Sequence, residues 1–526
     1  MVTSEQTIRR VKNILRRENT VQSNQITQAI ASRKMLIIAK ANKIKRYDKR
    51  DKEKKQNQMF KEDQGRFYRE LRNDSIKVSN PPPKEEVDRF WKGIYEDERM
   101  FNNQAEWLEQ IKNSQETTNI EQMEHVAITK KEIEDVIKKS SNWKTPGPDR
   151  VQNVWLKKIR TLLEPLTACY NRIINGREEI PQWLTTGETV LIPKSEETQR
   201  PEKYRPITCL PTLYKVFTGV LAKRIQGHLD NNNIISEEQK GCCKNSYGTK
   251  DQLLINKMIT ENSRRAQKNL SMVWIDYKKA YDSVPHNWIR EVLKIYKISP
   301  EIIRFIDNAM KIWKVNINLH YEEGTLEIEE VKIKRGIFQG DSISPLIFVL
   351  AINPLSALIN GLQNGYRINS RNEKKPKIIS HLFYMDDLKL YSSNREETIK
   401  QIEIVKRFSN DICMEFGLDK CAFVLLKKGR RIESENIEIE GDIIKELEQE
   451  RTYKYLGIEE SEKIENNIMK GKIKKEYRRR LKLILKSELN PRNKMQAINT
   501  LAIPVLSYGF GIKQAECYDQ KNAART

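Results

Sequence analysis

Phe383-Tyr384-Met385-Asp386-Asp387 sets two carboxylates side by side between two runs patterned as β-strands. The first run is Ile378-Ile379-Ser380-His381-Leu382-Phe383-Tyr384 and the second is Leu388-Lys389-Leu390-Tyr391. Both are rich in β-branched, aromatic and alternating apolar residues, so they read as a hairpin with the acids at its tip. Like charges held at one tip repel unless a cation lies between them, which suggests a divalent metal site. Aspartate is also a favoured turn residue, and a solvated turn has the same signature. The residues elsewhere in the chain decide between the two.

Lysine and arginine number 95 against 72 aspartate and glutamate, a formal net charge of +23 over 526 residues. That excess suits a polyanionic partner, because neutralising phosphates releases condensed counterions. A basic surface that only keeps the chain soluble is the competing explanation. The seven cysteines (Cys169, Cys209, Cys242, Cys243, Cys413, Cys421 and Cys517) form no CxxC pair and no Cys/His ligand spacing. Free thiols in a reducing compartment are therefore expected, and a disulfide-built secreted domain is excluded. No apolar run approaches a membrane span and the N-terminus lacks a signal core. The expectation is a soluble, intracellular protein with no membrane partner.

Residues 1–80 read as a basic helical arm, with Ile8, Val11, Ile14 and Leu15 at helical spacing and a Lys/Arg-dense stretch from Lys40 to Lys55. Pro81-Pro82-Pro83 ends it. A helical linker segment over 84–128 carries Phe90, Trp91, Tyr95 and Trp107 as packing residues. Thr129-Lys130-Lys131-Glu132 is a capping box, and Lys144-Thr145-Pro146-Gly147-Pro148-Asp149 a basic proline-glycine turn. Strands are expected at Thr189–Ile192, Leu270–Tyr277, Phe423–Leu426 and Tyr453–Tyr455, and a hairpin at 315–332. Helices are expected at Pro211–Leu229, Pro285–Tyr296, from Pro300, and from Glu396 to Phe416. Ser344-Pro345 reads as an N-cap with proline at N1, opening an apolar helix to Leu362. Beyond Glu462 the chain is helical and basic, with Asn490-Pro491 starting a second helix.

Asp276 closes the apolar strand Met272-Val273-Trp274-Ile275, which reads as buried between layers. An acid at the exit of a buried strand is held rigidly, as a metal ligand must be, although a turn or helix-cap aspartate fits the same position. Taken with Asp386-Asp387, it becomes a proposal that two strands bring their acids together at one edge of a sheet. Mg²⁺ prefers a few carboxylates with waters and phosphate oxygens. Two such ions about 4 Å apart can activate an attacking hydroxyl and stabilise a leaving pyrophosphate.

Asp276-Tyr277-Lys278-Lys279-Ala280-Tyr281-Asp282, Gly336-Ile337-Phe338-Gln339-Gly340-Asp341-Ser342-Ile343-Ser344-Pro345 and Phe383-Tyr384-Met385-Asp386-Asp387 stand in the order of reverse transcriptases. In detail the series resembles non-LTR retrotransposon reverse transcriptases, particularly those whose full-length protein ends in a restriction-like endonuclease. Lys144–Asp149, Leu191-Ile192-Pro193-Lys194, Tyr204-Arg205-Pro206-Ile207, Phe416-Gly417-Leu418-Asp419-Lys420-Cys421 and Tyr455-Leu456-Gly457 extend the resemblance over roughly residues 130–510.

The resemblance implies that Asp276 and Asp386 bind both catalytic metals, with Asp387 a weaker or supporting ligand. It implies that Tyr281 is the steric gate against a ribose 2′-hydroxyl, and that Asp282 fixes local backbone. Lys194 and Arg205 match the residues that grip the incoming triphosphate, where a planar fork and a mobile point charge both suit phosphate oxygens. Gln339 and Gly340 match the loop supporting template and nucleotide. Lys420 matches a lysine near the departing pyrophosphate, a candidate general acid. Tyr455, Leu456 and Gly457 resemble the turn that positions the primer end.

Relatives usually carry N-terminal DNA-binding fingers and, downstream, a Cys/His knuckle and an endonuclease. None is visible here, and the chain reads as ending in or just after the thumb. The expected fold is α+β, a right-hand polymerase with an antiparallel palm sheet and a helical N-terminal extension. Fingers and palm are expected over 129–460 and a partial helical thumb over 461–526. The expected function is RNA-directed DNA polymerase, with two Mg²⁺ ions (Mn²⁺ as an alternative) and dNTPs. Its nucleic-acid partners are an RNA template and a DNA primer or nicked target DNA, in the nucleus and/or cytoplasm. The alternatives are a catalytically silent RNA-binding remnant and a group II intron-type reverse transcriptase with maturase activity. The sequence leaves the oligomeric state open.

Overall fold

Alternating and all-apolar segments build two mixed sheets around the residues singled out above. The structure, a computed structural model, describes residues 9, 23–72, 76–244, 246–369 and 376–510. Ile8, Val11, Ile14 and Leu15 of the expected arm lie outside the described residues, as do Cys517 and the rest of the polar C-terminal segment. The chain divides into two compact units, residues 1–74 with 474–506, and residues 75–473 with 507–526.

In the first unit, helix Ser23–Glu62 carries the Lys40–Lys55 stretch as a continuous helix. Phe60 and Phe67 pack with Ile484, Leu489, Ala497 and Leu501 as a small apolar core. Asn57 satisfies the turn at 488–490: its amide donates to the Glu488 carbonyl at 3.1 Å, and its Oδ1 accepts from the Asn490 N–H at 3.0 Å. Asn490 in turn caps helix Pro491–Ala497.

Among the described residues, all the strands lie in the second unit. In chain order these are β1 (Thr186–Pro193), β2 (Tyr204–Cys209), β3 (Leu270–Ile275), β4 (Lys314–Tyr321) and β5 (Gly324–Lys332). Then come β6 (Tyr366–Ile368), β7 (Lys377–Ile379), β8 (His381–Tyr384), β9 (Asp387–Ser392) and β10 (Ala422–Lys427). Last are β11 (Arg430–Ile432), β12 (Ile437–Ile439), β13 (Asp442–Glu446), β14 (Tyr453–Tyr455) and β15 (Ile458–Glu460). A four-stranded sheet has the order β2-β1-β4-β5, and a seven-stranded sheet the order β12-β13-β10-β3-β9-β8 with β11 paired to β10.

The expected antiparallel sheet needs correction. Pairs β3–β9, β3–β10 and β8–β9 are antiparallel, but β13 runs parallel to β10, and β1 runs parallel to β4. The parallel pair arises because β11 folds back on β10 and the β12–β13 hairpin reverses the chain again. The expected single strand 378–384 is also two. Residues 377–379 pair with β6, while 381–384 pair with β9. Buried Ser380 separates them, its hydroxyl donating to Asn360 Oδ1 at 2.7 Å.

Every residue of β3 is buried because both faces of the sheet are covered. Val273 and Ile275 join Leu388 and Leu390 in one apolar core, and Met272 and Trp274 join Tyr391 in the other. Helix Ser344–Gly361 backs the first core. Its length and apolar composition do reach those of a membrane span, contrary to the sequence expectation, but most of it is buried inside the protein. Ser344 is its first helical residue rather than its cap. Ile343 holds the cap position without a side-chain hydrogen bond, and Pro345 sits inside the first turn. The capping box at Thr129 forms as expected, with Glu132 reciprocating.

Candidate active site

The register of the large sheet builds the site. Ile275 lies opposite Leu388 on antiparallel strands, so the exit of β3 at Asp276 meets the start of β9 at Asp387. Tyr384 pairs with Asp387, leaving Met385-Asp386 as a two-residue turn with Met385 at φ +58°. The acids thus gather at the ends of central strands rather than on an outer strand. Asp276 and Asp386 line one cleft of about 490 Å³ with Lys194, Arg205, Tyr281, Gln339, Gly340 and Lys420. Asp387 does not line it.

Two basic residues face the acids from the smaller sheet. Ile192 pairs with Arg205 and Pro193 with Tyr204, and the Lys194 N–H donates to the Lys203 carbonyl at 2.8 Å. Lys194 therefore extends the β1–β2 ladder beside Arg205. Burial, aided by the positive charge of Arg205, pushes the Lys194 ammonium below its usual pKa. Lys420 bridges to Asp276 Oδ2 at 2.9 Å. Gly417 makes that approach feasible, because a Cβ there would stand 2.8 Å from Asp276 Oδ2.

The Gln339-Gly340 loop is fixed at both ends. The Thr208 N–H donates to the Gln339 carbonyl at 2.9 Å, and a Cβ on Gly340, at φ +141°, would meet the Thr208 carbonyl oxygen at 2.3 Å. The Gln339 amide donates to both oxygens of buried Asp282, at 3.3 and 3.4 Å, and the Tyr95 hydroxyl donates to the same carboxylate at 3.2 Å. Burial raises the Asp282 pKa. Asp282 is thus the anchor of Gln339, more than a local backbone brace. Tyr281 stacks on Phe348 with centroids 4.7 Å apart and presents its ring to the cleft.

Burial, then the neighbouring acids, determine the charge state of the hairpin tip. Burial raises the Asp386 pKa, and the Asp276 charge adds to the rise. Asp387 is pushed up to about 7 by burial, then by the Asp386 and Asp276 charges. Such mutual destabilisation is what a divalent cation relieves. Among the described residues no group of three His, Cys, Asp or Glu forms a self-sufficient metal cage. Two carboxylates facing a basic cleft nevertheless suit Mg²⁺, which completes its shell with water and substrate phosphate.

The primer-positioning candidates lie apart from this cleft. Leu456 (φ +46°) and Gly457 (φ +80°) form the two-residue turn of the β14–β15 hairpin, the φ signs that a type I′ turn requires. The Tyr508 hydroxyl donates to the Leu456 carbonyl at 2.6 Å. Tyr455 is buried in the second core, so the turn itself is what the hairpin can present.

Sequence reasoning missed Lys279, Gly417 and Glu460. Lys279 lay inside a quoted motif but carried no separate signal. Gly417 has a role only once Asp276 is placed beside it. Glu460 carries no motif in the sequence, yet it is buried and bonded to Lys389 at 2.6 Å.

The cleft, with paired acids on one wall and cations on the other, has the charge pattern that nucleotidyl transfer by a polymerase requires. Residues 192–459 match the model of the family described as reverse transcriptase (RNA-dependent DNA polymerase). The chain belongs to that family. It is 22% identical over 377 residues to the Retrovirus-related Pol polyprotein from type-2 retrotransposable element R2DM of Drosophila melanogaster, covering 70% of this chain and 33% of that protein. It is 28% identical over 274 residues to the polyprotein from type-1 retrotransposable element R2 of Popillia japonica, covering 51% and 35% respectively. It is 27% identical over 251 residues to the probable RNA-directed DNA polymerase from transposon X-element of Drosophila melanogaster, covering 46% and 26%. The chain spans about a third of the length of the first two of these relatives.

Proposed function

We propose that this chain is the RNA-directed DNA polymerase of a non-LTR retrotransposon, extending a DNA primer 3′-hydroxyl on an RNA template with dNTPs. The observation that carries this reading is that one cleft collects Asp276 and Asp386, far apart in sequence, opposite Lys194 and Arg205. The seven-stranded sheet serves as palm, the four-stranded sheet as fingers, and the basic helices from Asn466 contribute to the thumb.

In this reading the primer 3′-hydroxyl gives up its proton to solvent and its oxygen attacks the α-phosphorus as the bond from that phosphorus to the β-bridging oxygen breaks, and pyrophosphate leaves with the electron pair. Asp276 and Asp386 would hold two Mg²⁺ ions, which when bound would supply charge stabilisation to the attacking and leaving oxygens. Lys194 and Arg205 orient the triphosphate. Tyr281, braced on Phe348, acts as the bulky ring that excludes a 2′-hydroxyl. Lys420 exchanges its Asp276 partner for the leaving pyrophosphate and protonates it. Gln339, held by Asp282, positions the template-side loop.

Primer extension on poly(rA)/oligo(dT) with Mg²⁺ tests the reading. Wild type incorporates dTTP and Asp386→Ala does not. A soluble, RNA-binding wild type with no incorporation would instead support the silent RNA-binding remnant.

A further inference from the structure

A second cleft, of about 610 Å³, shares Lys194, Lys279 and Lys420 with the catalytic cleft. Its lining beyond those three carries four more cations, Arg99, Lys203, Lys278 and Arg335, against three acids, Glu202, Glu415 and Asp419, with Arg99 and Lys278 both ion-paired to Glu415. Two of its lining residues carry buried polar atoms without a hydrogen-bond partner, Lys279 Nζ and Ser195 Oγ. Lys279 Nζ lies 4.0 Å from the Trp91 ring centroid and 4.9 Å from that of Phe90, with the Asp282 carboxylate near enough to feel its charge but not hydrogen-bonded to it. A buried ammonium without a hydrogen-bond acceptor is expensive, and an anion entering the cleft would satisfy it. Burial lowers the Lys279 pKa to about 8, so an arriving anion also secures its charge.

We propose that this second cleft is a condensed-phosphate site that receives the pyrophosphate leaving the catalytic cleft, passed across the wall formed by Lys194, Lys279 and Lys420. The ligand class follows from the geometry. The three shared lysines reach both clefts, so a polyanion moving between them stays in contact with cations throughout. Ser195 follows Lys194 directly and places a free hydroxyl on the far side of that wall. Pyrophosphate is the polyanion that nucleotidyl transfer releases at this spot, so the inference rests on the polymerase reading.

The test uses Lys203→Glu/Lys278→Glu and, separately, Ser195→Ala, residues that line the second cleft and not the first. In single-turnover primer extension at saturating dTTP, both variants keep the wild-type rate. Inhibition by added inorganic pyrophosphate weakens roughly five- to tenfold in the double variant, the scale of two lost exposed charge contacts. Ser195→Ala gives a smaller shift in the same direction. Pyrophosphate inhibition equal to wild type in both variants overturns the proposal while leaving the polymerase reading intact. An equal rise in the dTTP KM also overturns it, because the charges would then act on the catalytic cleft. If wild type extends no primer, the polymerase reading fails by itself, and calorimetric titration with pyrophosphate still decides the site. Binding by wild type that is weakened in the double variant supports the site, and absent or unchanged binding refutes it.

Discussion

The start and the middle of strand β9 handle buried charge in opposite ways. At its start, Asp387 stands beside the like charges of Asp386 and Asp276, which with burial outweigh the pull of Lys420, and its pKa is raised to about 7. Two residues along, on the same face, Lys389 is completely buried yet fully matched. Its ammonium donates to Glu460 at 2.6 Å and to Asn256 Oδ1 at 2.8 Å, while Trp274 Nε1 donates to the same Glu460 oxygen at 2.6 Å. Asn256 Nδ2 satisfies the other Glu460 oxygen at 2.6 Å. The start is an electrostatic conflict kept for a ligand to resolve, and the middle is a closed network that fastens β3, β9, β15 and helix Thr249–Arg265 together. Polar groups in a dry interior are either satisfied internally or reserved for function.

The sharpest way to break this comparison is to remove one member from each place. Asp386→Ala should lower primer extension by at least roughly a thousandfold, the scale of losing metal-borne charge stabilisation, with little change in the unfolding midpoint. Lys389→Ala should do the reverse in kind. Stranding Glu460 without its cation costs about 3–5 kcal/mol of stability, read from urea denaturation. The double variant Lys389→Met/Glu460→Gln should recover much of that loss, since a matched pair removed together leaves no orphan charge. Equal stability losses at Asp386 and Lys389 would sink the distinction between the two places.

The next effect is a gain. The Asp387 carboxyl has its pKa raised on folding, so the folded state holds its proton where the unfolded chain has already released it. Stability relative to Asp387→Asn is therefore equal near pH 4, falls as pH rises to about 7, and stays low above that. In metal-free buffer at pH 8, Asp387→Asn should be more stable than wild type by roughly 1–3 kcal/mol, and the gap should close as pH falls toward 4. Adding Mg²⁺ should narrow the gap at pH 8 by stabilising wild type. A pH-independent gap would mean that Asp387 does not share the conflict of its neighbours.

The conflicted start was the legible part. Asp386-Asp387 advertises itself because two acids at a hairpin tip are a local pattern, and Lys194 and Arg205 fall beside each other through a short β1–β2 connection. The matched middle was invisible. Lys389 reads as the polar member of an alternating strand, and Glu460 carries no motif, because their pairing depends on β15 reaching the face of β9. The parallel β10–β13 pair and the break at Ser380 escaped for the same reason: each is set by which distant segment pairs with the strand, not by the strand's own residues. Lys279 escaped because its environment comes from Trp91 and Phe90, far upstream.

The smallest effect separates strain at the site from strain elsewhere. Three hairpins of the large sheet begin their two-residue turns with a side-chain-bearing residue at positive φ: Met385 in β8–β9, Lys428 (φ +50°) before Gly429 (φ +73°) in β10–β11, and Glu440 (φ +50°) before Gly441 (φ +82°) in β12–β13; the first two make the useful pair. Lys428 is exposed, and its backbone N–H is held by Asn269 Oδ1 at 2.9 Å, so its side chain contributes no core packing. Lys428→Asn should therefore stabilise the fold by about 0.5–1 kcal/mol, because asparagine enters the left-handed region more readily and Asn-Gly is favoured in such turns. Primer extension should be unchanged. Met385 carries the same kind of strain but packs against Gly241, where an added Cβ would stand 2.5 Å from Met385 Sδ, so its side chain wedges the catalytic turn in place. Met385→Asn should relieve the backbone and still slow primer extension, since the turn that aims Asp386 loses its wedge. If the two asparagine variants behave alike in both assays, the strain at Met385 is incidental to the site.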